Sequence, residues 1–332
     1  MKAVIIEESG AAPALRTCPE PLPGRGEVLI EVHACGLNFA DLLMQTGKYQ
    51  DTPDPPFVMG LEYAGRILAL GEGVEGLHEG QRVAAFAGQG GLAERATCSA
   101  ERCVPLPDSM PMIEAAGFLV AYGTSHLALA HRAHLQPGET LVVLGAAGGV
   151  GLTAVEIGAA LGARVVAVAR GAEKLARARA AGASICLDSD ETDLRAELRA
   201  LGGVDVVYDA IGEPFATPAL RSLRPEGRFL AIGFAGDRVP HFPANILLVK
   251  NISVIGLYWG AYLSFAPRVL TDSLRSLLDW YAAGRLAPHV SHVLPLEQFA
   301  EGFELLRARR AMGKIVIAVH PDAAPLSQDA AV

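Results

Sequence analysis

The chain predicts an α/β protein of two domains, a β-rich N-terminal domain followed by a doubly wound parallel sheet, and three observations carry that prediction. Its 332 residues exceed one typical core, and 51% of them are hydrophobic, enough to bury two. The first 120 residues hold short apolar or alternating runs broken by Gly and Pro clusters, the pattern of a compact β structure. From Leu141 to Leu257 apolar strands alternate with Ala-rich helical stretches, which is how a parallel sheet with helices on both faces reads.

In chain order, Lys2–Glu7, Glu27–Ala34, Tyr63–Leu70 and Arg82–Phe86 are the strand candidates of the first domain, and their spacing suits a partly open barrel. Near Ala115–Ala133 the pattern turns helical. Six strand candidates follow: Leu141–Gly145, Arg164–Ala169, Ser184–Leu187, Asp205–Asp209, Arg228–Gly233 and Ser253–Leu257. Six strands with helices between them fit a complete doubly wound sheet. Arg268–Ala283 reads as an amphipathic helix and Gly313–Val319 as a closing strand. The expected domains are 1–120, 121–260, a segment 261–320 that returns to the first domain, and a small, polar, flexible tail over 321–332.

Composition removes several function classes. The net charge is −8 and no Lys/Arg run interrupts the acidic balance, which argues against nucleic acid or an anionic membrane as partner. Met1–Glu7 lacks the apolar stretch of a signal peptide, and no apolar run approaches the ~20 residues that span a bilayer, so a cytoplasmic protein is expected. The five cysteines (18, 35, 98, 103 and 186) are scattered and odd in number, with no CxxC pair, and are expected to be reduced thiols.

The most informative run is Leu141–Leu144 followed by Gly145, Ala146, Ala147, Gly148, Gly149, Val150 and Gly151. Four apolar residues make a buried strand, and the glycines allow a tight turn with no Cβ in the way. The next helix then points its first N–H groups at the place a pyrophosphate would occupy. The same glycines also serve plain packing in other α/β proteins. About 20 residues on, where the ribose is read, NAD-specific folds place an acid. Here Ala169, Arg170, Gly171 and Lys174 stand instead, which favours NADP: Arg170 is placed to fork onto a 2′-phosphate and Lys174 to add a point charge. Both also fit the role of solvated cations at a helix start.

The runs Cys35-Gly36-Leu37-Asn38-Phe39-Ala40-Asp41, Gly60-Leu61-Glu62-Tyr63-Ala64-Gly65, the glycine turn 145–151 and Gly313-Lys314-Ile315-Val316 resemble the medium-chain dehydrogenase/reductase superfamily over nearly the whole chain. That resemblance implies a GroES-like catalytic domain joined to a Rossmann domain. Zinc alcohol dehydrogenases of the superfamily carry a ligand Cys where this chain has Asn38, a ligand His where it has Leu61, and a Cys or acid near Ala116. Asn, Leu and Ala cannot replace thiolate and imidazole, so no metal is expected. The structural zinc lobe is absent too, since the chain runs from Phe86 through Gly88-Gln89-Gly90-Gly91 directly to Leu92.

Within the superfamily the chain resembles the zinc-independent quinone oxidoreductase branch, on Gly36–Asp41, Tyr49 and the seven-residue glycine turn. The branch implies NADPH-dependent reduction of quinones or of C=C bonds conjugated to a carbonyl. Arg170 and Gly171 depart from the small Gly-Ser pair common there, and Val120 falls where some members have Thr.

Without a metal, hydrogen bonds must stabilise the charge that hydride brings to the carbonyl oxygen, which restricts acceptors to quinones and enones. Asn38 is the candidate donor or positioner, with a turn residue bonding its own backbone as the other reading. Tyr49 follows Gly47-Lys48 in a polar loop, where its phenol either donates to the oxyanion or simply walls the site. Asp41 is read as a brace of the loop and Glu62 as a structural pair. Ile232-Gly233-Phe234 and Leu257-Tyr258-Trp259 lie where nicotinamide is expected, at the carboxyl ends of late strands; Thr124, beside Tyr122 and Gly123, is a further candidate cofactor contact. His126, His131 and His134 have no acidic or Cys partners nearby and read as helix-end residues. Two other functions fit the fold: an enoyl-CoA-type thioester reductase, and a non-catalytic NADPH-binding sensor. The apolar edge strand Ser253–Leu257 leads to the expectation of a homodimer.

Overall fold

The computed structural model describes residues 1–236 and 238–323; of the tail expected over 321–332, residues 324–332 lie outside the described residues. The chain divides into two compact units, one of Met1–Val120 with the described residues from Pro288 onward, the other Ala121–Ala287.

The first unit is built on the long strand Glu27–Leu37. Its alternating Val28, Ile30 and Val32 enter a core with Tyr63, Ile67, Leu92, Ile315, Ile317 and Phe303. One sheet runs Val290–Pro295, Lys314–Ala318, Glu27–Leu37, Glu62–Leu70, Arg82–Phe86, Cys103–Pro105, and Arg95–Ser99 also pairs with Glu27–Leu37. A small sheet orders Ala14–Thr17, Lys2–Ile6 and Phe57–Val58. Strand register decides which side chains meet at the sheet's end. Ile315 lies opposite Leu37, and Gly36 opposite Glu62, so Lys314, Asn38 and Glu62 come to one end of three adjacent strands.

The second unit holds six parallel strands in the order Ile185–Asp188, Arg164–Ala169, Thr140–Leu144, Val204–Asp209, Leu223–Ala231 and Ser253–Gly256. Thr140–Leu144 is buried along its whole length, as a central parallel strand must be. The strand expected at Arg228 starts at Leu223, with a break in the ladder before Arg228 pairs with Val206. The helical stretch Ala115–Ala133 is divided into Met112–Ala116, Leu119–His126 and a π-helical turn Leu127–Arg132.

One expected boundary needs correction. Helix Pro267–Ala282 belongs to the second unit, so the return to the first begins at Pro288 and not at 261. The cause is its apolar face: Leu270, Leu274 and Leu277 are buried, Ser273 Oγ lies 2.8 Å from His126 Nδ1, and Trp280 meets the His126 ring edge-on. Among the described residues no helix is long and apolar enough to cross a membrane.

Candidate active site

The glycine turn is held by sterics on both sides. Gly145 has φ +75°, a left-handed conformation that side chains resist, and helix Gly149–Ala160 starts four residues later. A Cβ on Gly151 would sit 2.0 Å from the Gly145 carbonyl oxygen, so the first helical turn lies directly on the strand exit. Ala146, Ala147 and Gly151 are buried, Gly145, Gly149 and Val150 half-buried, and Gly148 exposed. The first N–H groups of a helix have no acceptor within it, and here they gather at this turn. A shallow backbone cradle with an N-terminal helix dipole fits a dinucleotide pyrophosphate.

Side chains that the sequence pattern did not single out pin this cradle. Ser125 Oγ donates to Val150 O at 2.9 Å and lies 2.8 Å from Thr153 Oγ1 and 3.0 Å from the Tyr208 hydroxyl, while Thr153 Oγ1 donates to Ala121 O at 3.0 Å. Thr124 is buried on the same helix. Trp259 covers Gly123 so closely that a Cβ there would fall 2.6 Å from the indole nitrogen. Trp259 is therefore a packing residue of this unit. Leu257 is likewise buried and Tyr258 half-buried, whereas Gly233 is half-buried and Phe234 is 41% exposed. Ile232 and Gly233 both donate to Asp209 O, and the Asp209 side chain accepts from Ile211 and Gly212 at 2.8 and 2.9 Å. Burial pushes the Asp209 carboxyl above its ordinary value.

At the tip of strand Arg164–Ala169 the structure adds what spacing missed. The neighbouring strand brings Asp188, whose carboxylate accepts from Gly171 N at 2.9 Å, and Asp190, which pairs with Arg170 at 3.1 Å. Acids thus do stand at this tip, contributed across the sheet. The Arg170–Asp190 pair is open to water on both sides, and such a pair contributes only about 0–1 kcal/mol. Lys174 is half-buried in helix Ala172–Ala180.

In the first unit, Asn38 ends the long strand and precedes helix Phe39–Gln45. Its Nδ2 donates to Glu62 Oε1 at 3.0 Å and to Gly36 O at 3.2 Å, and its Oδ1 accepts from Lys314 Nζ at 2.8 Å. Lysine only donates and a carboxylate only accepts, so these partners fix which way the amide faces. Lys314 Nζ also donates to Glu62 Oε1 at 2.8 Å and Leu37 O at 2.9 Å, which uses all three ammonium hydrogens. Glu62 Oε2 accepts from Val120 N at 3.0 Å. Glu62 and Lys314 are 1% and 8% exposed at their side chains, a buried ion pair.

Asp41 braces the same turn, as the sequence leads one to expect, with Oδ2 accepting from Asn38 N at 2.8 Å. Burial, the largest cause, raises its carboxyl to about 7, against the opposing pull of the Asn38 N–H and the Lys314 charge. Both amide hydrogens of Asn38 are used inside the domain, one of them on the backbone carbonyl of Gly36, and the residue is 9% exposed. Tyr49 sits beyond the helix in the loop that follows Gly47, half-buried, its carbonyl accepting from Thr52 Oγ1 at 2.6 Å.

Among the described residues no three His, Cys, Asp or Glu side chains come together as a candidate metal site; Asn38 Oδ1 and Glu62 Oε1 accept from the Lys314 ammonium, and Glu62 Oε2 from Val120 N. His126 bonds Ser273, and His131 and His134 are exposed, their rings 6.4 Å apart.

Residues 24–108 match the family described as alcohol dehydrogenase GroES-like domain, and 149–280 the family described as zinc-binding dehydrogenase. A quinone oxidoreductase-like protein 2 from Bos taurus is 39% identical over 88% of this chain and 85% of its own length. The solved quinone oxidoreductase of Thermus thermophilus, studied alone and in complex with NADPH, is 35% identical with a TM-score of 0.85, covering 96% of this chain and 100% of that one. The Escherichia coli quinone oxidoreductase complexed with NADPH is 25% identical, with a TM-score of 0.88 and the same coverage. Matches of this identity and extent, over both units, place the chain in the quinone oxidoreductase branch of the medium-chain dehydrogenase/reductase superfamily.

Proposed function

We propose that the protein is an NADPH-dependent, metal-free reductase of quinones or α,β-unsaturated carbonyl compounds. The observation that carries this reading is the ammonium of Lys314 seated among the oxygens of Asn38 and Glu62, at the turn where zinc relatives place a ligand cysteine. NADPH supplies a hydride when bound. The second unit offers the glycine cradle for its pyrophosphate. Arg170 is the proposed partner of the 2′-phosphate, exchanging its weak pair with Asp190 for a bidentate one, with Lys174 adding charge.

A metal-free site has no Lewis acid to hold an alkoxide, so it suits acceptors that spread the incoming charge over a conjugated system. Tyr49 is the proposed hydrogen-bond donor to the oxygen that gains charge, and Asn38 the residue that fixes the segment leading to it. Phe234, exposed at the end of a late strand, is the proposed apolar contact for a planar ring. All five thiols are free, in keeping with a reducing, cytoplasmic setting. Leu248 and Val249, each 78% exposed on helix Ala244–Lys250 beside the edge strand Ser253–Gly256, support a homodimer.

The test follows NADPH oxidation against a quinone, a 2-alkenal and crotonyl-CoA with a metal chelator present. Turnover of the first two, insensitive to chelator and reduced by Tyr49→Phe, is expected. Preference for crotonyl-CoA indicates the thioester reductase, NADPH binding with no turnover on any acceptor indicates a sensor, and loss of activity to chelator refutes the metal-free reading.

A further inference from the structure

The proposed reduction needs Asn38 only as part of a turn, yet the turn is built around a buried charge that the reaction does not otherwise use. Lys314 heads a strand that continues as Ile315-Val316-Ile317-Ala318, paired on both sides by Val290–Pro295 and Glu27–Leu37 and buried, a place that normally takes an apolar residue. Its side chain reaches three oxygens of three chemical kinds, the Leu37 carbonyl, the Asn38 amide and the Glu62 carboxylate, all within 2.9 Å. Two of the three belong to the segment that launches helix Phe39–Gln45 and the Tyr49 loop. The third, Glu62, holds the Asn38 amide from its other end and Val120 N with its second oxygen. One cation therefore ties together the amide, the carbonyl that leads into the turn and the carboxylate.

We propose that Lys314 is a positioning residue for reduction: its ammonium clamps the Asn38 turn and so sets the reach of the Tyr49 loop. The proposal rests on the reductase reading for its activity arm and on geometry alone for its second arm. Simple charge compensation is the competing account, because a buried carboxylate left without its cation destabilises by itself. The two accounts separate when both charges are removed. In Lys314→Met with Glu62→Gln neither member of the ion pair is left charged without the other and Val120 keeps its acceptor, but no ammonium orders the Asn38 amide, and the introduced glutamine also carries a donor nitrogen where only oxygens stood; Asp41, which loses the same cation in both variants, cancels in the comparison between them.

Three proteins decide the question: wild type, Lys314→Met, and the double variant Lys314→Met/Glu62→Gln. Lys314→Met is expected to melt lower than wild type, and if it does not fold the double variant stands in for it. The double variant is expected to recover most of the melting temperature yet to keep a kcat on a quinone at least tenfold below wild type, with the NADPH Kd within twofold. Recovery of kcat along with stability overturns the proposal. The second arm needs no turnover: the Asn38 side-chain amide hydrogens, followed by NMR, should exchange with solvent at least tenfold faster in the double variant. If wild type reduces no acceptor, the reductase reading falls and this arm decides alone, with unchanged amide protection overturning the clamp.

Discussion

Asp41 is a buried acid whose ionisation the fold opposes, and this makes stability depend on pH in a direction opposite to the usual salt-bridged carboxylate. It is fully buried, and its Oδ2 accepts from Asn38 N. Desolvation raises its carboxyl from 3.8 to about 7; the backbone N–H groups of Asn38 and Leu61 and the Lys314 charge pull it down, and the Glu62 charge pushes it up. Below the ordinary value both folded and unfolded chains carry the proton, and the group has no effect. Between the two values the unfolded chain ionises first, so stability is lost as pH rises. Above about 7 the loss is complete. At about 1.4 kcal/mol per pH unit, the interval amounts to about 4 kcal/mol.

Asp41→Asn removes the titration while leaving an amide oxygen to accept from Asn38 N. Relative to wild type, the variant should therefore gain about 3 kcal/mol of stability between about pH 5 and about pH 8.5, since part of the interval lies below the first condition. Urea unfolding of both proteins at the two pH values, followed by circular dichroism, measures that difference. A difference, variant minus wild type, that does not change with pH, or that falls as pH rises, would refute the burial argument for Asp41 and the packing of the Asn38 turn on which it depends.

Three further outcomes are expected. Arg170→Glu should raise the NADPH Kd by roughly 10- to 100-fold, as loss of a charge-assisted bond predicts, and leave NADH within roughly threefold, read by fluorescence titration. Gly151→Ala drives a methyl to within 2.0 Å of the Gly145 carbonyl oxygen; it should abolish saturable NADPH binding and lower the melting temperature, and normal binding would show that the turn tolerates movement. Leu248→Asp with Val249→Asp should convert a dimer into a monomer by light scattering, since two charges on one exposed apolar face oppose its burial; a wild-type monomer would end that expectation.

What could be read in the sequence, and what could not, divides along the range of the interaction. The parallel strands and the glycine turn are local patterns, a run of apolar residues and a change of period, and the structure places Leu141–Leu144, Arg164–Ala169 and Ser253–Gly256 close to the expected bounds. Ala14–Thr17, Arg95–Ser99 and Cys103–Pro105 escaped because they are short and half polar, held by pairing with longer neighbours and not by their own pattern. Helix Pro267–Ala282 was legible as a helix but not as a member of the second unit, since only its contact with His126 reveals what its apolar stripe faces.

The site shows the same division more sharply. Reading the ribose position along one strand finds Arg170 and no acid, yet Asp188 and Asp190 arrive from the next strand, because parallel register sets Ala169 opposite Asp188. Two carboxylates near the proposed 2′-phosphate oppose its charge, and the proposed assignment has Arg170 giving up a weak, water-exposed partner for a stronger one. Lys314 was visible only as a lysine at the head of an apolar strand. Its partner lies 276 residues away in sequence, at the amide of Asn38, whose oxygen it occupies. An amide read alone offers two hydrogens to a substrate; here both go to Glu62 and Gly36, a commitment that only the pairing of distant strands makes visible.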